Sequence, residues 1–257
     1  MKIDYIILLL CALMPAMGVA GESAGPASVP FRAGEKLRFD VRYEFVKAGE
    51  ATLEIPEITE CGDCACYRVV SEAKSTMPFS LFFEVLDRVE SLVDVDSLYT
   101  RRYTKSLKEG TYEAFEQVDF DQAAHTATYP GGKVVAVPPR VQDVLSSLYY
   151  ARTLNLEVGK SVFIENHADE KNYPLEVKVL RREKVKVPAG TYECFVLEPI
   201  LLASGVFQHK GKLTVWISTD PTRIPVMMKS KIVIGAINAV LAEVDLGASP
   251  KESGHEG

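Results

Sequence analysis

The chain has 257 residues, with 29 Lys and Arg against 35 Asp and Glu, and a formal net charge of −6. An acidic balance excludes generic nucleic-acid binding, which needs a basic surface. Hydrophobic residues make up 47 % and charged residues 25 %, an ordinary globular balance over a length that one β-rich domain can fill.

Residues 1–20 have the layout of a secretory signal peptide, with Lys2 at the start, an apolar run from Tyr5 to Met14, and Gly18-Val19-Ala20 at a cleavage position. Cys11 follows Leu10, where a lipidation motif needs a small residue, so no lipid anchor is expected. Cleavage removes Lys2 and Asp4 together and leaves the charge unchanged. Residues 21–30 are small and polar and read as a disordered lead-in. One β-rich domain is expected over 31–246, followed by a disordered polar tail over 247–257. Beyond the signal peptide no stretch reaches the ~18 continuous apolar residues of a membrane span. Ile232 to Leu246 comes nearest, and Gly235, Asn238 and Glu243 break it.

Leu37, Phe39, Val41, Tyr43 and Phe45 alternate with Lys36, Arg38, Asp40, Arg42 and Glu44. Such a period of two means a strand with one buried face and one wet face. Lys47-Ala48-Gly49 is the expected turn, and Ala51, Leu53 and Ile55 return. Further strands are read at Tyr67–Lys74, Glu84–Val93, Tyr99–Leu107, Thr111–Asp121, Thr126–Tyr129 and Lys133–Val137. A shift of apolar phase near Phe115 predicts a β-bulge, and Ser80–Phe83 a short helical turn. Val141, Val144, Leu145 and Leu148 recur at three- and four-residue steps, which predicts an α-helix over about 141–153. Asp143 is its expected N-cap, and Arg152 has the sign that a helix C-terminus prefers. After the helix, strands are read at Val162–Ala168, Tyr173–Lys186, Tyr192–Leu202, Val206–His209, Leu213–Ser218, Ile224–Ile234 and Ala236–Leu246. The expected class is all-β and mainly antiparallel: a large curved sheet, half-barrel or barrel, with this one short central helix to back or plug it.

The mature chain carries Cys61, Cys64, Cys66 and Cys194. Export favours disulfides, for example Cys61–Cys66 across a hairpin with Cys64 to Cys194. Three clustered thiolates could also ligate a soft metal, with Cys194 as a fourth ligand. The disulfide is preferred, and neither a resident metal nor a cofactor is expected. His125, His167, His209 and His255 show no ligand spacing and read as surface residues. No G-x-S-x-G elbow surrounds a serine, so Ser146 reads as a packing or backbone-bonding residue. The pairs Asp94/Asp96 and Asp119/Asp121 could hold calcium but more often cap turns. Asp143 and Arg152 fall on opposite helix faces. They form a candidate polar site, for which a structural ion pair of Arg152 with Asp87 or Glu90 is the plainer reading.

Several segments, in order, resemble the bacterial exported-protein family catalogued as domain of unknown function 3108. They are Pro30-Phe31-Arg32-Ala33-Gly34-Glu35-Lys36-Leu37, Ala48-Gly49-Glu50-Ala51, Asp87–Ser91, Asp143–Arg152, Val187–Tyr192, and Trp216–Val226 with Asp220, Arg223 and Pro225. The resemblance runs from about residue 30 to 245 and implies an envelope location and a β-rich domain, with no established activity.

The expected function is that of a non-enzymatic, exported periplasmic protein. Its partner would be a lipid or a lipid-linked glycan, held in a cavity of at least ~300 Å³ lined by Phe39, Tyr43, Tyr149, Tyr150, Phe207 and Trp216. An envelope interaction protein would instead show an exposed apolar patch or an open sheet edge. An envelope hydrolase would bring a Ser or Cys to His125, His167 or His209.

Overall fold

The computed structural model describes residues 29–201, 213–231 and 235–248. The signal-like segment, nearly all of the lead-in and tail, and the strand read at Val206–His209 lie outside them. The described residues form fourteen strands, one α-helix and two short 3-10 turns. Eight strands precede the helix: β1 (Glu35–Tyr43), β2 (Val46–Cys61), β3 (Cys64–Ser75), β4 (Leu86–Asp94), β5 (Thr100–Glu109), β6 (Tyr112–Asp121), β7 (Thr126–Thr128) and β8 (Val134–Ala136). The helix α1 spans Val144–Thr153. Six strands follow: β9 (Ser161–Ala168), β10 (Lys171–Val187), β11 (Gly190–Leu201), β12 (Leu213–Ser218), β13 (Pro225–Lys231) and β14 (Ala236–Leu246).

All strands belong to one antiparallel sheet in the order β8-β7-β6-β5-β4-β3-β2-β1-β14-β13-β12-β11-β10-β9. Every neighbour is a chain neighbour except at the centre, where β1 pairs with β14. The helix is therefore the link between the two edges, β8 and β9. Having to cross from one edge to the other puts it on the sheet's inner side. Strands of both halves pack against it, so the sheet curls around α1 as an unclosed barrel.

The first hairpin turns earlier than the alternation predicts. Tyr43 pairs with Val46, leaving Glu44 and Phe45 as a two-residue loop. Phe45 is consequently 93 % exposed rather than an inward residue. The β5–β6 register runs without a shift from Arg102↔Asp119 to Glu109↔Tyr112, so no bulge lies at Phe115. Phe115 is simply an outward aromatic, 70 % exposed. Bulges occur instead at sites such as Arg38/Phe39 and Val179/Arg181.

Asp143 caps α1. Its Oδ1 accepts from the backbone N–H groups of Leu145 (2.7 Å) and Ser146 (2.9 Å), and Ser146 Oγ accepts from the Asp143 N–H at 2.9 Å. Its Oδ2 accepts from Ser91 of β4 and from Thr100 of β5, the latter at 2.9 Å. The cap thus ties the helix to the sheet. Gln142 leaves the helix to bridge Asn166 of β9, which is why α1 begins later than the apolar spacing predicts. At the other end Arg152 pairs with Glu35 of β1, at 2.6 and 2.7 Å, with both side chains buried. Neither Asp87 nor Glu90 is its partner: Glu90 bonds Arg68 and Arg88. The guanidinium also lies 5.2 Å from the Phe31 ring centroid and 5.0 Å from that of Tyr149.

The two edges meet through side chains. Tyr129 Oη lies 2.8 Å from His167 Nε2, and His167 Nδ1 lies 2.6 Å from Asn172 Oδ1. Asn172 donates to the Ala136 carbonyl at 2.9 Å, and Lys105 reaches Asp169 at 3.2 Å. His167 is therefore a buried seam residue, not a surface one, whereas His125 is exposed.

Candidate ligand-binding cavity

Residues at i, i+2 and i+4 of a strand share one face, so the inward positions of facing strands converge on the helix. Phe39 and Val41 of β1, Ala73 of β3, Leu175 and Val177 of β10, and Ile217 of β12 do so opposite Leu145, Leu148 and Ala151 of α1. The space left between them is a cavity of about 200 Å³, partly open to solvent and almost wholly apolar. It exists because several inward positions carry small side chains: Ala51, Ala73, Ala151 and Ala239 sit where a Leu would close the gap. Polar groups at its wall are few. Ser147 Oγ is occupied by Asn166 Nδ2 at 2.8 Å. Thr52 Oγ1 and Ser230 Oγ are buried and make no hydrogen bond.

The aromatic residues expected to line it separate. Phe39 is in the wall. Tyr43 stands at the first hairpin, 37 % exposed and away from the cavity. Tyr149 is buried on the other side of the helix, edge-on to Phe31 at 5.3 Å, so it fills core rather than lining a void. Tyr150 is half-buried against the core cluster around β9–β12, outside the wall. Trp216 points to the opposite face of β12 from Val215 and Ile217, and its indole N–H donates to Glu183. Phe207 lies outside the described residues. The wall is thus built mainly from aliphatic and small side chains, which a search for rings overlooks. The signal was present: Ala51, Ala73 and Ala239 hold inward positions in otherwise bulky apolar strands.

The remaining candidates are accounted for locally. Asp143 and Arg152 lie at opposite ends of α1 in separate networks. Burial raises the Asp143 carboxyl, against hydrogen bonds from Ser91, Ser146, Thr100 and Leu145. Asp94 Oδ1 accepts from the N–H groups of Asp96 and Ser97, and Asp121 Oδ1 from those of Ala123 and Ala124, both as turn caps. Cys61 and Cys66 form a disulfide across the β2–β3 hairpin. Cys64 and Cys194 are free. The expected Cys64–Cys194 bond is absent because β3 and β11 are six strands apart in the sheet. Burial pushes the Cys194 thiol up to about 12, which makes it inert.

Among the described residues no helix is long and apolar enough to cross a membrane. The fold is similar to a β-barrel-like protein of domain of unknown function DUF1849 from Brucella abortus, with a TM-score of 0.56 at 9 % identity over 83 % of this chain and 98 % of that one. A DUF1089 family protein from Pseudomonas aeruginosa is more distant, with a TM-score of 0.37 at 8 % identity over 83 % and 95 % of the two chains. No curated protein matches the sequence. The family described as protein of unknown function (DUF3108) matches residues 38–242, and the chain belongs to it.

Proposed function

We propose that this protein is an exported, non-enzymatic envelope protein that holds one hydrocarbon segment of a lipid in the cavity between α1 and the curled sheet. The observation that carries the proposal is the apolar cavity itself, of about 200 Å³, beside a fully formed core. This size falls short of the ~300 Å³ at the low end of ligand pockets but exceeds a cavity of ~150 Å³ that admits benzene. It suits a single chain and leaves a glycan headgroup, if present, outside. The Ser230 hydroxyl, buried and without a partner, offers the wall one polar contact for an ester or hydroxyl of the ligand. The signal-like residues 1–20 support export, and the periplasm is the compartment proposed.

Native mass spectrometry of protein purified from its own envelope tests this. A co-purifying lipid mass is expected, as is displacement of that lipid by a fluorescent long-chain fatty acid. Ala73→Leu combined with Ala239→Leu fills the cavity and should weaken probe binding at least ~10-fold without loss of folding, since a few added methylenes remove the space a ligand methylene needs. An unliganded mass together with probe binding unchanged by the double substitution would sink the proposal.

A second reading has its own observation. Phe45 and Val46 in the first hairpin, and Met77, Leu81 and Phe82 after β3, are all exposed. The two segments touch, with Thr76 N–H donating to the Ala48 carbonyl at 2.9 Å. Such a patch favours a protein-interaction component of the envelope. A hydrolase has less support among the described residues. Tyr129 and Asn172 occupy the two ring nitrogens of His167, His125 is exposed, and His209 lies outside the described residues.

A further inference from the structure

The β2–β3 hairpin turns on Gly62 and Asp63, and Cys61 and Cys64 are directly opposite each other across that turn. Gly62 has φ 74°, the left-handed conformation that the first corner of a two-residue hairpin loop accepts readily from glycine. Cys66 lies two residues beyond Cys64 on β3, which puts both side chains on one strand face. Three sulfurs therefore share one small volume. Cys61 and Cys66 are bonded, with their Cα atoms 5.9 Å apart. The free Cys64 Sγ stands 2.8 Å from Cys61 Sγ and 4.0 Å from Cys66 Sγ. Cys61 and Cys64 are partly exposed, whereas Cys66 is buried.

We propose that Cys61, Cys64 and Cys66 form a thiol–disulfide exchange site, in which Cys61 is the shared sulfur and the bond moves between the Cys61–Cys66 and Cys61–Cys64 pairings. A thiolate next to a disulfide is the reacting pair of every such exchange. The Cys64 thiolate gives its electron pair to Cys61 Sγ, and the Cys61–Cys66 bond breaks. Cys66 leaves with that bond's electron pair and takes a proton from solvent, replacing the one Cys64 released. One disulfide and one thiol stand on each side, so no oxidant or reductant is consumed. The second pairing is sterically available. Directly opposed residues of an antiparallel pair lie ~4.5–5.5 Å apart at Cα, inside the ~4.4–6.8 Å window of a disulfide.

The surroundings set the conditions. Asp63 in the turn, Asp94 at the end of β4 and Arg101 of β5 face the cluster, and Arg101 Nη2 bonds Asp94 Oδ2 at 2.8 Å. Burial raises the Cys64 thiol above its ordinary value, with the Arg101 guanidinium working against it. The attacking thiolate therefore grows as pH rises, and acid stops the exchange. The two pairings also present different chemistry outward. With Cys61–Cys66 formed, the accessible group is a thiol. With Cys61–Cys64 formed, it is a disulfide open to an external thiol, and the spare thiol is the shielded Cys66.

Differential labelling of the full oxidised chain tests the proposal. Protein held at mildly alkaline pH is trapped in acid denaturant with a maleimide, then reduced, labelled with a second reagent and mapped by tandem mass spectrometry. Cys194, free in either pairing, takes first label throughout and serves as the internal reference. Within the cluster most first label is expected on Cys64, with roughly 5 % or more on Cys66, as for a populated minor state. Cys64→Ser should form Cys61–Cys66, and Cys66→Ser should form Cys61–Cys64, under the same oxidising conditions. First label on Cys64 with none on Cys66 would overturn the proposal. So would a Cys66→Ser protein that keeps Cys61 and Cys64 as free thiols where Cys64→Ser is oxidised, or a native mass showing Cys61, Cys64 and Cys66 reduced around a metal ion.

Discussion

Asp87 sits on β4 with its side chain buried, accepting the Lys108 N–H at 3.1 Å through Oδ1. Burial pushes its pKa up to about 6, and the Lys108 hydrogen bond does not offset this. The folded state therefore holds a proton that the unfolded chain releases near pH 4, and stability falls as pH rises from about 4 to 6. The cost at neutral pH is roughly 3 kcal/mol at most, a tenfold change in proton affinity being worth ~1.4 kcal/mol. Asp87→Asn keeps an acceptor for Lys108 and removes the charge. It should stabilise the protein at pH 7 and leave it unchanged at pH 4, measured as urea midpoints at the two values. Equal midpoint shifts at both would contradict the assignment. Asp87 is legible in the sequence as a polar member of the face that Val89 and Val93 share, but its depth of burial is not, because that depends on residues of other strands.

At the scale of elements, α1 is held at both ends by sheet residues distant in sequence. Ser91 and Thr100 grip the Asp143 carboxylate, and Glu35 grips Arg152 across 117 positions. Asp143→Ala removes the cap, worth about 1–2 kcal/mol, and leaves the two hydroxyls to find other partners at a similar cost. A loss of about 2–4 kcal/mol in unfolding free energy is expected. Asp143→Asn, which still accepts from Leu145 and Ser146, should recover more than half. If both variants lose equally, the cap is not what anchors the helix. The helix, its cap residue and the turn-capping roles of Asp94 and Asp121 were readable from spacing and residue type. The partner of Arg152 was not, since any acidic residue of a neighbouring strand satisfies the same local pattern.

The whole molecule is an open barrel whose edges, β8 and β9, are joined by side chains around Tyr129, His167 and Asn172. Burial lowers the His167 pKa, with the Asn172 hydrogen bond and the Asp169 and Glu170 carboxylates opposing. The unfolded chain takes up a proton near pH 6.5 that the folded seam resists, so this residue's contribution declines as pH falls below that value. The slope is opposite in sign to that of Asp87, and the two variants separate them. His167→Gln should flatten the decline between pH 7 and 5, read from urea midpoints. It should also raise hydrogen exchange in β7–β10 if the seam holds the edges together. Unchanged exchange there would mean that the edges hold without it.

Strand alternation, the single helical repeat and most of the turns, though not the first hairpin's, were determined by the sequence alone, because each depends on neighbours within a few positions. They sufficed for an all-β, barrel-like class with one central helix. Tertiary structure alone decided which side of each strand faces the helix, that β1 closes on β14, and that the cavity is walled by Phe39 and small aliphatics rather than by Tyr149, Tyr150 or Trp216. A void is a property of side chains from strands far apart in sequence. Its volume is a small difference between large packed volumes, so no local pattern encodes it.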